Sequence, residues 1–372
     1  MIPPVDPATL SPPAQKILTG PPKMQEMAAR GIALGVAPGD LILLLVALSK
    51  GAEPNVAQLA DKTLGNLPQP VIAGALGAAL APQAVDALAT RYHDRVDMLA
   101  KLLAMPALAI DTVEEVARLG NEEACELIAT NEERLLANPR IIELLYLNKN
   151  CRMSTADRII ELAVRNGVEV ALPAWKEAAA AIQNELIPEA GDGPSPDDLL
   201  FSQNMHLAES LRQHGDSIED ALEEGDDPNE AKVKEKYVPL YREIAMMTNS
   251  QKIRFAQIGT AEAILILVND PSPLVSRAAA QSPQLNEAVV EQVAKRRNIS
   301  GDVLTAIGQK PELLRRLSTK RDLMKNPKTP PSLAMKLISH FQEHELARLQ
   351  NDRNVSGSVR QLIKNHLERK KR

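Results

Sequence analysis

The sequence predicts an all-α fold, an α-solenoid of short helix pairs arranged as two arrays. Three observations support this prediction. One short phrase recurs at a fixed interval, Ala and Leu dominate the composition, and no run of alternating β-branched residues is found. Ala and Leu are strong helix formers, and aromatic residues make up only 2% of the chain. We therefore expect helices throughout and almost no sheet.

The recurring phrase begins with Asp or Asn and carries Ser or Thr two or three residues later. Successive phrases begin 28 positions apart. Side-chain oxygens of these residue types accept hydrogen bonds from free backbone N–H groups, so each phrase predicts a turn and a helix N-cap. A fixed period in this range indicates stacked helical repeats, because one helix pair cannot bury its own apolar face. The predicted structural caps are Asp270, Ser272, Asn298, Ser300, Asn326, Thr329, Asn354 and Ser356.

Composition divides the chain into four predicted segments. Residues 1–22 are rich in proline and are predicted to form an extended arm. Residues 23–184 are predicted to form an N-terminal, repeat-like helical domain. Residues 185–236 carry 15 acidic and 4 basic side chains, which predicts a flexible acidic linker. Residues 237–372 are predicted to form a basic C-terminal domain of 28-residue repeats.

The two ends of the chain carry opposite charge. Residues 250–372 contain 22 Lys and Arg against 11 Asp and Glu, whereas residues 1–249 contain 21 against 37. A charge asymmetry of this kind can indicate a polyanionic partner. Several cations occupy equivalent positions in successive repeats, which predicts a basic stripe on one face of the array. The candidate residues of this patch are Lys295, Arg296, Arg297, Arg315, Arg316, Lys320, Arg321, Lys325 and Arg353.

Three interpretations of the basic stripe stay open. It could bind a nucleic-acid backbone through phosphate contacts, it could contact the acidic linker of the same chain, or it could be a solvated surface. A solvated surface is the default for a charged helix face. Base stacking needs exposed aromatic side chains, and the array offers only Phe255 and Phe341, both on apolar faces.

One short motif matches the spelling of inverted zinc peptidases. His340, Glu343 and His344 have the H-x-x-E-H spacing. A zinc site of this type needs a third ligand from another helix downstream, and only 28 residues follow. Such short spellings often match by chance. We therefore expect a polar corner between two helices, with no catalytic residue, metal or cofactor.

The cysteines and the apolar runs indicate a cellular compartment. Cys125 and Cys151 lie far apart and have no metal-binding or redox spacing, which points to free thiols in a reducing compartment. The first residues lack the basic and apolar regions of a signal peptide. The most apolar run, Leu41 to Leu48, is much shorter than the roughly 20 residues of a membrane span. We expect a cytoplasmic protein without a membrane span.

Several phrases in the stretch from about Tyr241 to the end carry a resemblance to known repeats. They are Gln251-Lys-Ile-Arg254, Val268-Asn-Asp-Pro271, Arg297-Asn-Ile-Ser300, Lys325-Asn-Pro-Lys-Thr-Pro330 and Arg353-Asn-Val-Ser356. The stretch resembles the C-terminal repeats of a widespread set of uncharacterised bacterial proteins. It is also similar to repeats of the HEAT-like and leucine-rich-repeat-variant superfamily. The resemblance covers about a third of the chain and implies an α-solenoid without implying an activity.

These features predict a non-enzymatic scaffold or adaptor that binds protein partners through helical-repeat surfaces. The alternative is a nucleic-acid or other polyanion binder that uses the basic C-terminal array. Polyanion binding weakens steeply as the salt concentration rises, whereas an apolar groove for a partner helix does not depend on salt in this way.

Overall fold

A computed structural model of the chain describes residues 4–183, 193–213, 222–224, 231–233 and 238–370. These residues form 24 α-helices and one short antiparallel strand pair. The prediction of an all-α fold is confirmed. Contacts between residues divide the chain into an N-terminal unit, Met1–Cys151, and a C-terminal unit, Arg152–Arg372.

The described part of the N-terminal unit contains eleven helices after a 3-10 turn at Pro7–Thr9. Their bounds are Pro12–Leu18 (α1), Pro22–Ala29 (α2), Pro38–Ser49 (α3), Pro54–Gly65 (α4), Gln69–Leu76 (α5), Pro82–Arg91 (α6), Val96–Leu103 (α7), Ile110–Leu119 (α8), Glu122–Ala129 (α9), Glu132–Ala137 (α10) and Pro139–Leu147 (α11). The central helix is α3, which packs against α1, α2, α4, α5 and α6. Between Leu41 and Leu48 only Ala47 is not fully buried. A helix that is apolar on all sides needs packing partners on all sides.

Residues 4–22 do not form the extended arm that is predicted for residues 1–22. Leu10, Ala14 and Ile17 are buried in the apolar core of the N-terminal unit, and α1 begins at Pro12. Proline is favourable at the start of a helix, because its φ angle is already helical and the N–H that it lacks would have no partner there. The proline-rich sequence therefore starts helices, which corrects the interpretation of residues 4–22 as extended.

The described part of the C-terminal unit contains thirteen helices, a 3-10 turn at Pro311–Leu313 and a strand pair. The helices are Met153–Arg165 (α12), Trp175–Ile182 (α13), Pro196–Gln213 (α14), Val238–Met246 (α15), Asn249–Ile258 (α16), Ala261–Leu267 (α17), Pro273–Gln281 (α18), Glu287–Lys295 (α19), Gly301–Ile307 (α20), Leu317–Lys325 (α21), Pro331–Ile338 (α22), Glu343–Asn351 (α23) and Gly357–Lys370 (α24). The strands Leu222–Glu224 (β1) and Ala231–Val233 (β2) pair with Leu222 opposite Val233.

Five helix pairs from α16 onward consist of a helix and the next helix but one. Helix α16 contacts α18, α18 contacts α20, α17 contacts α19, α19 contacts α21, and α22 contacts α24. This alternation is typical of helix pairs stacked as repeats. It arises because each helix of a pair leaves an apolar stripe that the matching helix of the next pair covers.

The boundary between the two units lies at an earlier residue than the sequence predicts, after Cys151 instead of residue 184. Helices α12 and α13 belong to the C-terminal unit, where α13 packs against α16 and α18. The ion pair between Glu177 and Arg277, at 3.7 Å, joins α13 to α18. The boundary predicted at residue 184 follows a change in charge. Charge reports which residues face water, whereas packing decides which helices share a core.

Part of the predicted acidic linker is a packed helix. On α14, the side chains of Phe201, Met205 and Ala208 are buried at helical spacing. The start of α14 is held by a reciprocal cap, in which Ser195 Oγ accepts from the Asp198 N–H at 3.2 Å and Asp198 Oδ2 accepts from the Ser195 N–H at 2.8 Å. Residues 193–213 are therefore not a flexible linker. Residues 222–224 and 231–233 of the predicted linker form the strand pair, and its residues 185–192, 214–221, 225–230 and 234–236 lie outside the described residues.

The Asp198 carboxylate also anchors α14 to α12. It accepts hydrogen bonds from the backbone N–H of Ser154 at 2.8 Å and from the Ser154 hydroxyl at 3.0 Å. Burial opposes the charged form, but the hydrogen bonds from Ser154 and Ser195 together lower the pKa of Asp198. A carboxylate stabilised in this way stays ionised and holds the helix start in place.

Helix α16 is buried along its length, from Ser250 to Ile258, although it carries two cations. Lys252 Nζ lies 2.9 Å from Asp270 Oδ2. Arg254 donates to the carbonyl oxygen of Arg152 at 3.0 Å and stacks over the ring of Phe201 at 5.1 Å from its centroid. Burying a charge is costly unless the charge is paired and hydrogen-bonded. These contacts allow a polar helix to occupy the interior of the C-terminal unit.

Candidate functional site

A buried asparagine joins consecutive repeats of the C-terminal array. Asn326 Nδ2 donates to the carbonyl oxygens of Ala294 at 3.0 Å and Arg296 at 2.6 Å, and its Oδ1 accepts from the Lys328 N–H at 3.0 Å. The two carbonyl groups lie at the end of α19, in the preceding repeat. The predicted cap at Asn326 therefore closes a turn and also satisfies the orphan carbonyls of a helix end.

The N-terminal unit contains the same arrangement at Asn148. Its Nδ2 donates to the carbonyl oxygens of Ala117 at 2.9 Å and Gly120 at 3.0 Å, and its Oδ1 accepts from the Asn150 N–H at 2.9 Å. Here the carbonyl groups lie at the end of α8. Both units thus use one buried amide to tie a turn to an earlier helix end.

Aspartates close two further turns between helices. We call these turns, and the turns at Asn326 and Asn148, corners. The aspartates contact lysines instead of carbonyl groups. Asp270 accepts from the Ser272 N–H at 2.8 Å and pairs with Lys252. Asp352 accepts from the Asn354 N–H at 3.0 Å and pairs with Lys325 at 3.2 Å. The hydrogen bond from Asn354 and the charge of Lys325 lower the pKa of Asp352.

Two of the predicted caps accept hydrogen bonds at helix starts. Ser300 Oγ accepts from the Val303 N–H at 3.3 Å at the start of α20. Ser356 Oγ accepts from the Val359 N–H at 3.4 Å at the start of α24. Ser272 occupies the N-cap position of α18 but makes no capping bond with its side chain.

The remaining predicted caps differ from expectation. Thr329 donates its hydroxyl to the carbonyl oxygen of Leu323 and so closes the end of α21, because Pro330 occupies the N-cap position of α22. Asn354 accepts from Arg297 Nη2 at 2.7 Å, because Asp352, two residues earlier, already closes the turn. Within the described part of the chain, no side-chain hydrogen bond is found for Asn298.

Four cations of the basic stripe form an ion-pair ladder across α19, α21 and α23. Each of the inter-helix pairs joins side chains about one repeat apart in the sequence. The ladder consists of Arg316 with Glu291 at 3.2 Å and Glu287 at 3.5 Å, Arg321 with Glu345 at 2.8 Å, Lys325 with Asp352 at 3.2 Å, and Lys295 with Glu291 at 3.2 Å. The stripe is thus partly neutralised by carboxylates of its own array. In the sequence, acidic residues about one repeat period away from basic residues were a signal for these ion pairs.

Three exposed cations lie on the loops that follow α19, α21 and α23. They are Arg297, Lys328 and Arg353, and we call them the cationic edge. The hydrogen bond from Arg297 to Asn354 spans 57 residues, so it brings the first and third of these loops together. Within the described residues, no carboxylate pairs with any of the three cations.

Of the three remaining stripe residues, Lys320 lines the groove described next, and Arg315 and Arg296 join none of these groups. Arg315 is exposed on the loop before α21 and forms no ion pair within the residues that the structure describes. Arg296 is half-buried at the end of α19, where its carbonyl oxygen accepts from Asn326. The predicted stripe is therefore divided among the ladder, the edge and the groove described next.

A groove of about 460 Å³ opens between α20, α21 and α22. Its floor is formed by the buried residues Leu314, Leu333 and Leu337, and we call the whole site the C-terminal groove. The other lining residues are Gly308, Gln309, Pro311, Lys320, Lys336 and His340.

Three basic side chains surround the apolar floor. Lys336 and His340 are exposed and Lys320 is half-buried. Lys336 lies on α22 next to the floor residue Leu337, and His340 follows the end of α22 by two residues. None of the three basic side chains forms an ion pair within the part of the chain that the structure describes. The sequence indicated Lys320 as a patch residue and His340 only as part of the H-x-x-E-H motif. Lys336 was not predicted, although a basic residue beside the apolar positions of an amphipathic helix was a signal.

The groove depends on a close approach at the end of α20. A β-carbon built on Gly308 would lie 2.5 Å from Leu333 Cδ1, a distance that requires Leu333 to move. Beside the groove, the half-buried Lys310 donates to the carbonyl oxygen of Ser282 at 3.0 Å, and burial lowers its pKa. Gly308 and the half-buried Lys310 thus shape the side of the groove that follows α20.

The H-x-x-E-H motif is interrupted by a helix boundary. Helix α22 ends at Ile338 and α23 begins at Glu343, so His340 and His344 do not lie one turn apart on a single helix. Phe341 between them is buried. Among the described residues, no group of three or more His, Cys, Asp or Glu side chains is placed to share a metal ion. His340 lies at the C-terminal groove instead.

No protein-family model matches the chain, and no curated protein and no solved structure matches it either. No helix in the described ranges has the length and hydropathy needed to cross a membrane.

Proposed function

We propose that this chain is a non-enzymatic scaffold or adaptor that binds a protein partner through its helical-repeat surfaces. The observation that carries this proposal is the C-terminal groove, which combines an apolar floor with basic side chains that lack ion-pair partners among the described residues. Concave sites with apolar walls and a few polar groups are the usual form of binding sites in proteins. The groove residues supply charge and apolar contact, and the proposal includes no cofactor.

The ion-pair ladder supports this proposal. It links the surfaces of α19, α21 and α23, and the groove lies between neighbouring packed helices of the same array. A binding surface set on packed helices is held more rigidly than one on loops. A rigid surface binds a partner with a smaller loss of conformational entropy.

Two matched charge reversals test the adaptor role. Lys320→Glu with Lys336→Glu alters the groove, and Lys328→Glu with Arg353→Glu alters the cationic edge by the same change in net charge. Each full-length variant is immobilised, and the proteins that it captures from a lysate of the source cells are quantified by mass spectrometry. We expect some proteins to be captured by the wild type and by the edge variant, Lys328→Glu with Arg353→Glu. The groove variant, Lys320→Glu with Lys336→Glu, should not capture them. Identical capture by all three would contradict the proposal.

The second candidate function is binding of nucleic acid or another polyanion. The cationic edge favours it, because Arg297, Lys328 and Arg353 lie on the loops after α19, α21 and α23, and the first and third of these loops touch. Phosphate contacts from Lys and Arg carry most non-specific affinity for nucleic acid. Against it, Phe255 and Phe341 are both buried, so neither offers a stacking surface for bases.

A salt series separates the two functions. For the polyanion function, we expect the full-length chain to bind random duplex DNA with an affinity that falls steeply with salt, because bound counterions are released. The edge variant should lose this binding and the groove variant should keep it. If the wild type binds no DNA at low salt, the polyanion function is excluded.

Two expectations remain predictions. A cytoplasmic location is one of them. The other is contact between the acidic segment of residues 185–236 and the basic array, since much of that segment lies outside the described residues.

A further inference from the structure

The floor of the C-terminal groove selects aliphatic groups. Leu314, Leu333 and Leu337 are each more than nine-tenths buried, and the groove above them measures about 460 Å³. This volume lies within the range of roughly 300–1,000 Å³ that is typical of small-ligand sites. The groove is therefore large enough for one or two side chains of a peptide and too small for a folded domain.

The rim of the groove selects anions. Lys320, Lys336 and His340 surround the floor, and none of the nine lining residues is Asp or Glu. Glu312, on the loop between the lining residues Pro311 and Leu314, interacts electrostatically with Lys310. Ammonium groups of lysine act as mobile point charges that pair with carboxylates in several geometries. The rim therefore suits a ligand whose negative charges lie on both sides of an apolar group.

Resting on the adaptor role proposed above, we propose that the C-terminal groove binds an acidic peptide segment of the partner protein. An aliphatic side chain of the peptide packs on Leu333 and Leu337, and flanking Asp or Glu carboxylates pair with Lys320 and Lys336. This arrangement joins an apolar anchor to a charged rim, as in many peptide-binding sites.

The groove favours a peptide over a nucleic acid. Bases stack on aromatic side chains, and none of the nine residues that line the groove is Phe, Tyr or Trp. The lining instead provides branched aliphatic carbons, which match leucine, isoleucine or valine side chains.

Fluorescence anisotropy with the full-length chain tests this proposal. The probe is the labelled peptide Gly-Asp-Glu-Leu-Glu-Asp-Leu-Glu-Asp-Gly. One control peptide replaces both leucines with serine, and another replaces every Asp and Glu with Asn and Gln. An oligothymidylate with the same number of negative charges serves as the nucleic-acid control.

We expect the acidic leucine peptide to bind, and both control peptides and the oligothymidylate to bind much more weakly. Lys320→Glu with Lys336→Glu should weaken binding by about tenfold or more at low salt, because both rim ammonium groups become repulsive. Lys328→Glu with Arg353→Glu should change it by less than about twofold, because exposed charges at a distance are screened.

An uncharged variant provides independent evidence. Gly308→Ala forces Leu333 to move, so it should weaken peptide binding without changing the charge of the rim. Thermal unfolding and circular dichroism of each variant verify the fold. If Gly308→Ala unfolds the chain, Lys320→Gln with Lys336→Gln replaces it and should weaken binding by an intermediate factor.

Three outcomes would overturn the proposal: equal binding by the groove variant, equal binding of the serine peptide, or binding of the oligothymidylate that the groove variant loses. The capture experiment distinguishes this failure from failure of the adaptor role. If the groove variant still loses captured proteins while the acidic peptide does not bind, the adaptor role stands and only the peptide chemistry is wrong. If neither measurement depends on the groove, both proposals are wrong.

Discussion

The corners at Asp270 and Asn326 occupy equivalent positions, two repeat periods apart, and are held in different ways. Each side chain accepts the N–H of the residue two positions later. Beyond that shared bond, Asn326 donates its amide to two carbonyl oxygens of the preceding repeat, whereas Asp270 pairs with the ammonium group of Lys252.

The difference shows that Asp and Asn are not interchangeable in the repeat phrase. Both close the turn because both have an acceptor oxygen. Only the amide can also donate to carbonyl groups, and only the carboxylate can balance a buried cation. Asn148 extends the first kind of corner to the N-terminal unit, and Asp352 extends the second kind with a more exposed lysine partner.

The strongest test of the comparison removes the cation from the Asp270 corner. Lys252→Met leaves Asp270 buried without its ion-pair partner, so we expect a loss of about 3–5 kcal/mol in the free energy of unfolding. Trp175, the single tryptophan, lies on α13 in the C-terminal unit and reports its unfolding by urea. Lys252→Met combined with Asp270→Asn should recover part of the loss. A single variant as stable as the wild type would show that the pair is dispensable.

The next test gives the Asn326 corner a carboxylate. Asn326→Asp removes two amide hydrogen bonds and places a negative charge against the carbonyl oxygens of Ala294 and Arg296. We expect a loss of about 2–3 kcal/mol in the Trp175 unfolding transition. Asn148→Asp is the matched control in the N-terminal unit and should leave the Trp175 unfolding transition unchanged. It should instead lower the urea concentration at which part of the helical signal in circular dichroism is lost. Equal stability of Asn326→Asp and wild type would mean that the corner tolerates either residue.

Acid provides a smaller test, because the Asp352 corner carries a titratable group and the Asn326 corner does not. The lowered pKa of Asp352 means that its stabilising charge is fully present above the ordinary value of 3.8 and is lost as the pH falls through its lower folded pKa. We expect the carboxyl carbon of Asp352 to titrate by NMR with a midpoint below 3.8. Lys325→Ala should raise this midpoint. A midpoint at the ordinary value in the wild type would show that the corner does not hold the charged form.

The smallest expected effect concerns Arg316 of the ladder, whose side chain is 60% exposed. Arg316→Ala removes the contacts to Glu287 and Glu291. We expect a loss of about 0.5 kcal/mol, typical of exposed ion pairs, and no loss in high salt, where such pairs are screened. Urea unfolding at low and high salt measures both. A large or salt-independent loss would place Arg316 among the structural residues of the fold.

Local chemistry made the fold class and part of the capping predictable. Ser300 and Ser356 accept hydrogen bonds at the starts of α20 and α24, because capping depends only on residues three positions apart. The prolines misled the interpretation of residues 4–22, since a proline that ends one helix and a proline that starts another look alike. Asp198 misled the linker prediction in a similar way. Counting charges cannot distinguish a solvated carboxylate from one that caps a helix.

The features that escaped prediction depend on contacts between repeats. The rim of the C-terminal groove combines Lys320 of α21 with Lys336 and His340 on or just beyond α22, and only the turn between the helices brings them together. The division of the basic stripe into ladder, edge and groove depends on which way each side chain leaves its helix. A fixed period shows that positions are equivalent, but it does not show whether a cation faces a carboxylate or water.

The hydrogen bond from Arg297 to Asn354 has a consequence for cooperativity. In a simple linear array, each repeat is coupled only to its immediate neighbours, so an end repeat frays without affecting the repeat two places away. Arg297 adds a next-nearest-neighbour coupling, because it crosses an entire intervening repeat. Fraying of the last repeat must release this bond, so the disturbance reaches the loop after α19. We therefore expect the end of the array to unfold in a more concerted way than a chain with contacts between neighbouring repeats alone.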